Sequence, residues 1–210
     1  MAETLTPWRD APQVLCALAD ELAAKGWLPA TSGNLSVCVR QHPLALAITR
    51  SGADKQHLTP PDVIYVDSEL RVLDAVDPSH RPSAETIVHT KLYQALSCGC
   101  ILHVHTVYNN LASEVYFAEG AVSIAGHELL KALDHWEPDA CIQVPIVENL
   151  HDIPALADAV LAAVRPGVPG VLVRNHGIYA WGDTPAAAKR YLEAFEFLFQ
   201  YVLTLRLLRG

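Results

Sequence analysis

Ile101-Leu102-His103-Val104-His105 reads as a buried β-strand that ends in two histidines. Side chains on a strand alternate between faces, so His103 and His105 project together from one side, near the strand's end. Two imidazoles held side by side can grip a divalent metal with no rearrangement of loops. Zinc is the first candidate, because imidazole nitrogen suits it and a catalytic zinc site needs only three protein ligands. The plainer alternative is a pair of core histidines satisfied by hydrogen bonds. On an otherwise apolar strand, two neighbouring rings would then need two sets of buried polar partners, which favours the metal.

The rest of the chain sets bounds on what such a strand can serve. At 210 residues, half of them apolar, the sequence suits one α/β domain over residues 1–210 with a sizeable core. A formal charge of −8 argues against nucleic acid, whose phosphates call for an excess of lysine and arginine. Met1 to Asp10 carries no basic segment followed by an apolar stretch, so no signal peptide is expected. Five cysteines, an odd number, read as reduced thiols in a cytoplasm. Cys98-Gly-Cys100 resembles a metal pair, but Cys100 has the opposite parity to His103 and His105 and is assigned to packing.

Taken in order, Asp10 and Pro12 open a helix with Val14, Leu15, Leu18 and Leu22 as its apolar stripe, closed at Gly26. Strands are expected at 35–39 and 44–49, and a hairpin at 63–66 and 71–73. A helix should run from about Ala84 to Leu96 with Ser83 as its N-cap. After the histidine strand come a helix at 107–115, a short apolar segment at 121–124 and a further helix beginning at Gly126-His127-Glu128. A strand at 141–147, a helix opened by Asp152 and Pro154, and strands at 170–174 and 178–181 follow. Thr184 and Pro185 start a last helix, to about Leu208, that is apolar on most sides. Its interrupting charges exclude a membrane span, so that helix is either sandwiched in the core or shared with another subunit.

Three loops combine hydroxyls or backbone N–H groups with small residues: Thr31-Ser32-Gly33-Asn34, Thr49-Arg50-Ser51-Gly52 and Pro82-Ser83-Ala84-Glu85. Glycine lets backbone donors approach a ligand, and a helix start near Ser83 carries partial positive charge. Each alone is an ordinary turn. Together, ahead of a candidate metal strand and with Lys55 adding a full charge, they can cradle a phosphate without a P-loop.

These stretches, with Asn175-His176-Gly177, resemble the ordered signatures of the class II aldolase/adducin family across nearly the whole chain. Gly26-Trp27-Leu28-Pro29-Ala30-Thr31-Ser32, Gly126-His127-Glu128-Leu129-Leu130-Lys131 and Glu193-Ala194-Phe195-Glu196-Phe197-Leu198-Phe199 place the nearest likeness in one branch. Members of that branch dehydrate 5-methylthioribulose 1-phosphate in methionine salvage. The resemblance implies a three-layer α/β/α sandwich around a central, largely antiparallel sheet, assembled as a homotetramer with sites near subunit interfaces. It implies three zinc ligands, His103, His105 and His176, holding one zinc per subunit. Ser32, Gly33 and Asn34, Ser51 and Gly52, and Ser83 match the phosphate loops.

Two glutamates match acid/base positions: Glu85 that of the family's aldolases, Glu128 that of its dehydratases. Either carboxylate would also be at home in a solvated first turn of a helix. The reading favours Glu128 as the proton-shuttling base and Glu85 as a wall of the pocket. Ala84 stands where sugar-phosphate aldolases of the family carry a serine. An aldolase or 4-epimerase, a non-enzymatic adducin-like interaction domain and a metallohydrolase remain as alternatives.

Overall fold

The computed structural model describes residues 5–209, so the first four residues of the N-terminal stretch lie outside it. Nine strands form one sheet: β1 (Asn34–Arg40), β2 (Ala45–Thr49), β3 (Val63–Asp67), β4 (Val72–Asp74), β5 (Cys100–Val104), β6 (Ala121–Ala125), β7 (Cys141–Val147), β8 (Gly170–Val173) and β9 (Gly177–Gly182). Their spatial order is β4-β3-β2-β1-β5-β9-β8-β7-β6. Every neighbouring pair is antiparallel except β7 and β8. The histidine strand β5 is therefore central, paired on both sides, and all five of its residues are buried.

The alternation of apolar side chains along β1, β5 and β9 gives the sheet two faces, and helices cover both. On one face Leu35, Leu102, Ile178 and their neighbours pack against α1 (Ala11–Ala24), α3 (Val107–Val115) and α5 (Pro185–Arg209). On the other, Cys38, Ile101, Val171 and Tyr179 pack against α2 (Thr86–Ala95) and α4 (Ile153–Ala162). This is the α/β/α arrangement that the family resemblance implies. Cys100 falls on the α1/α3/α5 side with Leu102 and Val104, turned away from His103.

Three local expectations are corrected. Ser83 does not cap a helix: residues 84 and 85 form a turn, α2 begins at Thr86, and Glu85 occupies the cap position. The Ser83 hydroxyl instead accepts the Glu85 N–H at 3.3 Å, and its carbonyl accepts the Thr86 N–H at 3.0 Å. That serine-closed (ST) turn takes the place of an extra helical turn. After Gly126 the chain makes only a 3₁₀ segment, Glu128–Leu133, stopped by Asp134 in the left-handed region. The histidine strand ends at Val104, one residue before His105.

Helix α5 is partly sandwiched: Leu192, Phe195, Leu198 and Phe199 are buried, while Phe197, Tyr201, Leu207 and Leu208 are exposed. Among the described residues no helix is long and apolar enough to cross a membrane.

Candidate metal centre and substrate loops

The register of the sheet places Asn34, His103 and Tyr179 side by side on β1, β5 and β9. All three face the α2 layer, where the turn before the helix carries Glu85. The His103 ring is fully buried and stacked on Tyr179, centroids 4.0 Å apart and 11° from parallel. Its Nδ1–H donates to the Ile178 carbonyl at 3.0 Å, which leaves the Nε2 lone pair pointing outward from the strand end.

His105 follows the strand and precedes a tightly capped helix, so its backbone has little freedom. Its N–H donates to the Trp27 carbonyl at 3.3 Å. Thr106 then caps α3 reciprocally with Asn109, and its hydroxyl donates to Glu196 at 2.6 Å. His105 Nε2 lies 2.9 Å from His103 Nε2.

His176 comes from the turn joining β8 and β9. Asn175 takes the left-handed conformation there, and the turn is pinned by Asn175 N–H to Ser113 Oγ and by Asn110 Nδ2 to the His176 carbonyl. The His176 Nδ1–H donates to Asn149 Oδ1 at 3.3 Å, again freeing Nε2. The three rings stand nearly perpendicular to one another, with centroids 4.7–5.0 Å apart. One ligand atom from each lies within 4.8 Å of the others.

Three converging imidazole nitrogens, two of them on rings whose far nitrogen is held by a hydrogen bond (His103 to Ile178, His176 to Asn149), are a donor set suited to a divalent metal. Burial pushes His103 well below its usual pKa and His105 to about 4, the latter helped by His176, so their lone pairs stay available at neutral pH. Among the described residues, Glu85 is the carboxylate within ion-pair distance of this cluster, 3.5 Å from His103 Nε2 and 3.1 Å from His176 Nε2. Its Oε2 also accepts the Asn34 amide at 2.7 Å. Burial opposes ionisation of Glu85; positive charge at the His103–His176 cluster, together with hydrogen bonds from His176 and the Asn34 amide, outweighs it and holds the carboxyl far below its ordinary range.

The three loops meet beside this cluster. Lys55, itself buried, donates from Nζ to the carbonyls of Thr31 and Ala53, and Gln56 donates to the Leu28 carbonyl. Ser51 N–H donates to the Arg81 carbonyl, and Arg50 bridges to Pro82. Ala30 and Thr31 both adopt positive φ, a backbone conformation costing of order 1 kcal/mol or more for each such residue. Gly33, at φ +77°, lies so close to β5 that a β-carbon would sit 2.6 Å from the His103 carbonyl oxygen. The Ser32 hydroxyl is buried without a partner, a donor suited to an anionic ligand. Asn34 stands apart from this group, since its amide is engaged by Glu85 and His89.

Glu128 is not brought to the histidines within the chain. It lies 82 % exposed on the 3₁₀ segment and pairs with Lys131 at 2.8 Å. It borders a separate cavity of about 280 Å³ with His127, His135 and Trp136. Sequence reading missed Asn149, which fixes the His176 ring, and Tyr179, on which His103 stacks. Neither side chain carries a local signal: Tyr179 reaches the site through the β5–β9 register and Asn149 from the loop after β7.

Comparison with known proteins agrees with this geometry. The pattern described as "Class II Aldolase and Adducin N-terminal domain" matches residues 13–203. The chain is 49 % identical to a methylthioribulose-1-phosphate dehydratase of Exiguobacterium sp., over 92 % of this chain and 94 % of that one. It is 45 % identical to the protein of that name from Bacillus subtilis, over 99 % and 97 %. An L-fuculose 1-phosphate aldolase superposes with a TM-score of 0.79 over 96 % of this chain and 88 % of the other, at 24 % identity, a likeness of fold. On this evidence the chain belongs to the class II aldolase and adducin family.

Proposed function

We propose that the chain is a hydro-lyase that removes water from 5-methylthioribulose 1-phosphate, giving 2,3-diketo-5-methylthiopentyl 1-phosphate in methionine salvage. The observation that carries this reading is the convergence of His103, His105 and His176 beside Glu85, in a chain alike over its whole length to dehydratases of that name.

The proposed metal is zinc, one per subunit, held by the three Nε2 atoms. When bound, it supplies Lewis-acid polarisation of the substrate ketone. The loops at Ser32–Gly33, Ser51–Gly52 and Ser83, with Lys55, are assigned to the phosphate, fixing the substrate at its remote end. A carboxylate takes the C3 proton and, once protonated, gives a proton to the C4 hydroxyl as that group leaves as water. The resulting enol tautomerises to the diketone. Atoms balance, with one water lost and no change of redox state.

Glu128 is assigned that proton transfer, and Glu85 lines the pocket against the histidines. Because Glu128 is exposed and distant from the cluster in its own chain, this assignment requires a neighbouring copy to deliver it. Exposed apolar side chains on α3 (Val107, Leu111) and α5 (Phe197, Tyr201) support an oligomer, proposed as a homotetramer of single-domain subunits in the cytoplasm.

The test is direct. Purified protein is assayed for water loss from 5-methylthioribulose 1-phosphate before and after chelation, with L-fuculose 1-phosphate as a comparison substrate. Chelation-sensitive dehydration supports the reading; cleavage of the second substrate in its place overturns it.

A further inference from the structure

Behind Glu85 lies a run of buried polar side chains for which the chemistry above has no use. Asn34 and Ser36 are two apart on β1 and share a face, while His89 and Tyr93 are four apart on α2 and share a stripe. The two meet. Asn34 Oδ1 lies 2.5 Å from His89 Nε2, Ser36 Oγ lies 2.7 Å from His89 Nδ1, and the Tyr93 hydroxyl lies 2.9 Å from Ser36 Oγ. The Tyr93 hydroxyl also donates to the Ser36 carbonyl at 3.0 Å. Their surroundings are Val88, Leu92 and Ile101, where a polar group without a partner is strongly unfavourable.

The proton directions follow from one end of the run. The Glu85 carboxylate can only accept, so Asn34 turns its amide nitrogen towards it. That leaves Asn34 Oδ1, also only an acceptor, facing α2, and His89 Nε2 must carry the proton. Burial holds His89 far below its usual pKa, at about 3, so the ring is neutral and its Nδ1 accepts from Ser36. With a neutral ring, reversing any link between Glu85, Asn34 and His89 sets two acceptors or two donors against each other, and at the far end the one Tyr93 hydroxyl proton is shared between Ser36 Oγ and the Ser36 carbonyl.

We infer that His89 is a positioning residue for Glu85: by donating from Nε2 it locks the Asn34 amide in the one orientation that offers N–H to the carboxylate beside the three histidines. The inference rests on Glu85 belonging to the site and is independent of which glutamate is the base.

Two measurements test it. Long-range ¹H–¹⁵N correlations of the imidazoles, recorded on the zinc-loaded protein without substrate, should show His89 protonated on Nε2; protonation on Nδ1 overturns the inference. In the dehydration assay, His89→Leu should lower kcat about 100-fold, the scale of a 1 Å misplacement, with KM and zinc content within about threefold of native. His89→Gln, whose amide can donate from nearly the same point, should recover to within about tenfold of native. Native kcat in His89→Leu, or equal impairment of the two variants, overturns it. Should the leucine variant fail to fold, the tautomer and the glutamine variant decide. If native protein does not dehydrate the substrate, the proposed function falls, whereas the tautomer still tests this inference.

Discussion

Gly177 and His105 are packed so closely that a β-carbon on the glycine would lie 2.8 Å from His105 Cδ2. The same atom would lie 2.4 Å from the Val104 carbonyl oxygen and 3.0 Å from His103 Cε1. The lack of a side chain at the start of β9 is what lets the turn carrying His176 close over the end of β5. Gly177→Ala is therefore expected to fold with about 1–3 kcal/mol less stability and to bind metal about 10–100-fold more weakly. Thermal unfolding and metal titration measure the two effects. Native affinity in this variant would mean that the contact does not position the ligands.

His103 has the strictest surroundings of the three histidines, buried between Tyr179 and the neighbouring rings with its Nδ1 bonded to Ile178. His103→Ala is expected to lose bound metal and all measurable dehydration together. Metal analysis of the purified variant beside an activity assay checks this. A metal-free variant with native turnover would remove the metal from the chemistry.

Much of this is legible in the sequence because periodicity is a strong signal where one face of a strand or helix is buried. The alternation in Ile101–His105 gave the central strand and the shared face of its histidines, and the 107–115 helix matches the expected range. What the residues themselves could not single out was His176, whose partners are more than 70 positions away in sequence and meet it only through the β5–β9 pairing. The helix start at Ser83 was misplaced because a serine before an apolar stripe serves a turn as readily as a cap. His89 carries no local signal in the sequence, since its partners Asn34 and Ser36 lie on a strand more than 50 residues earlier.

The two glutamates separate by experiment. Glu128→Gln should keep its metal and lose dehydration. Because Glu128 is exposed and away from its own histidines, the site should need one chain's histidines and another chain's glutamate. Mixing Glu128→Gln with His103→Ala subunits, each inactive alone, should then restore up to about a quarter of native activity through mixed oligomers. No recovery would confine the site to one chain, and full activity in Glu128→Gln would give the role to Glu85.

Glu196 supplies a prediction about pH. It is buried on α5, accepts the Thr106 hydroxyl through Oε2, and leaves Oε1 without a partner. Burial raises its pKa from 4.5 to about 7, against the opposing pull of Thr106 and Asn109. The nearby charges, Lys25 and Glu193, which line a surface cavity together with Glu196, are paired with each other at 3.4 Å. Between about pH 4.5 and 7 the folded chain keeps the Glu196 proton while the unfolded chain releases it, so stability falls as pH rises through that window and levels off above it. Glu196→Gln removes this dependence. The variant should match native stability near the lower end and exceed it by about 3 kcal/mol at pH 8, from roughly 2.5 pKa units at 1.36 kcal/mol each. Denaturant unfolding at pH 5, 6, 7 and 8 reads the difference directly. Parallel curves for the two proteins would show that Glu196 is already ionised in the fold and that its environment is more polar than its burial implies.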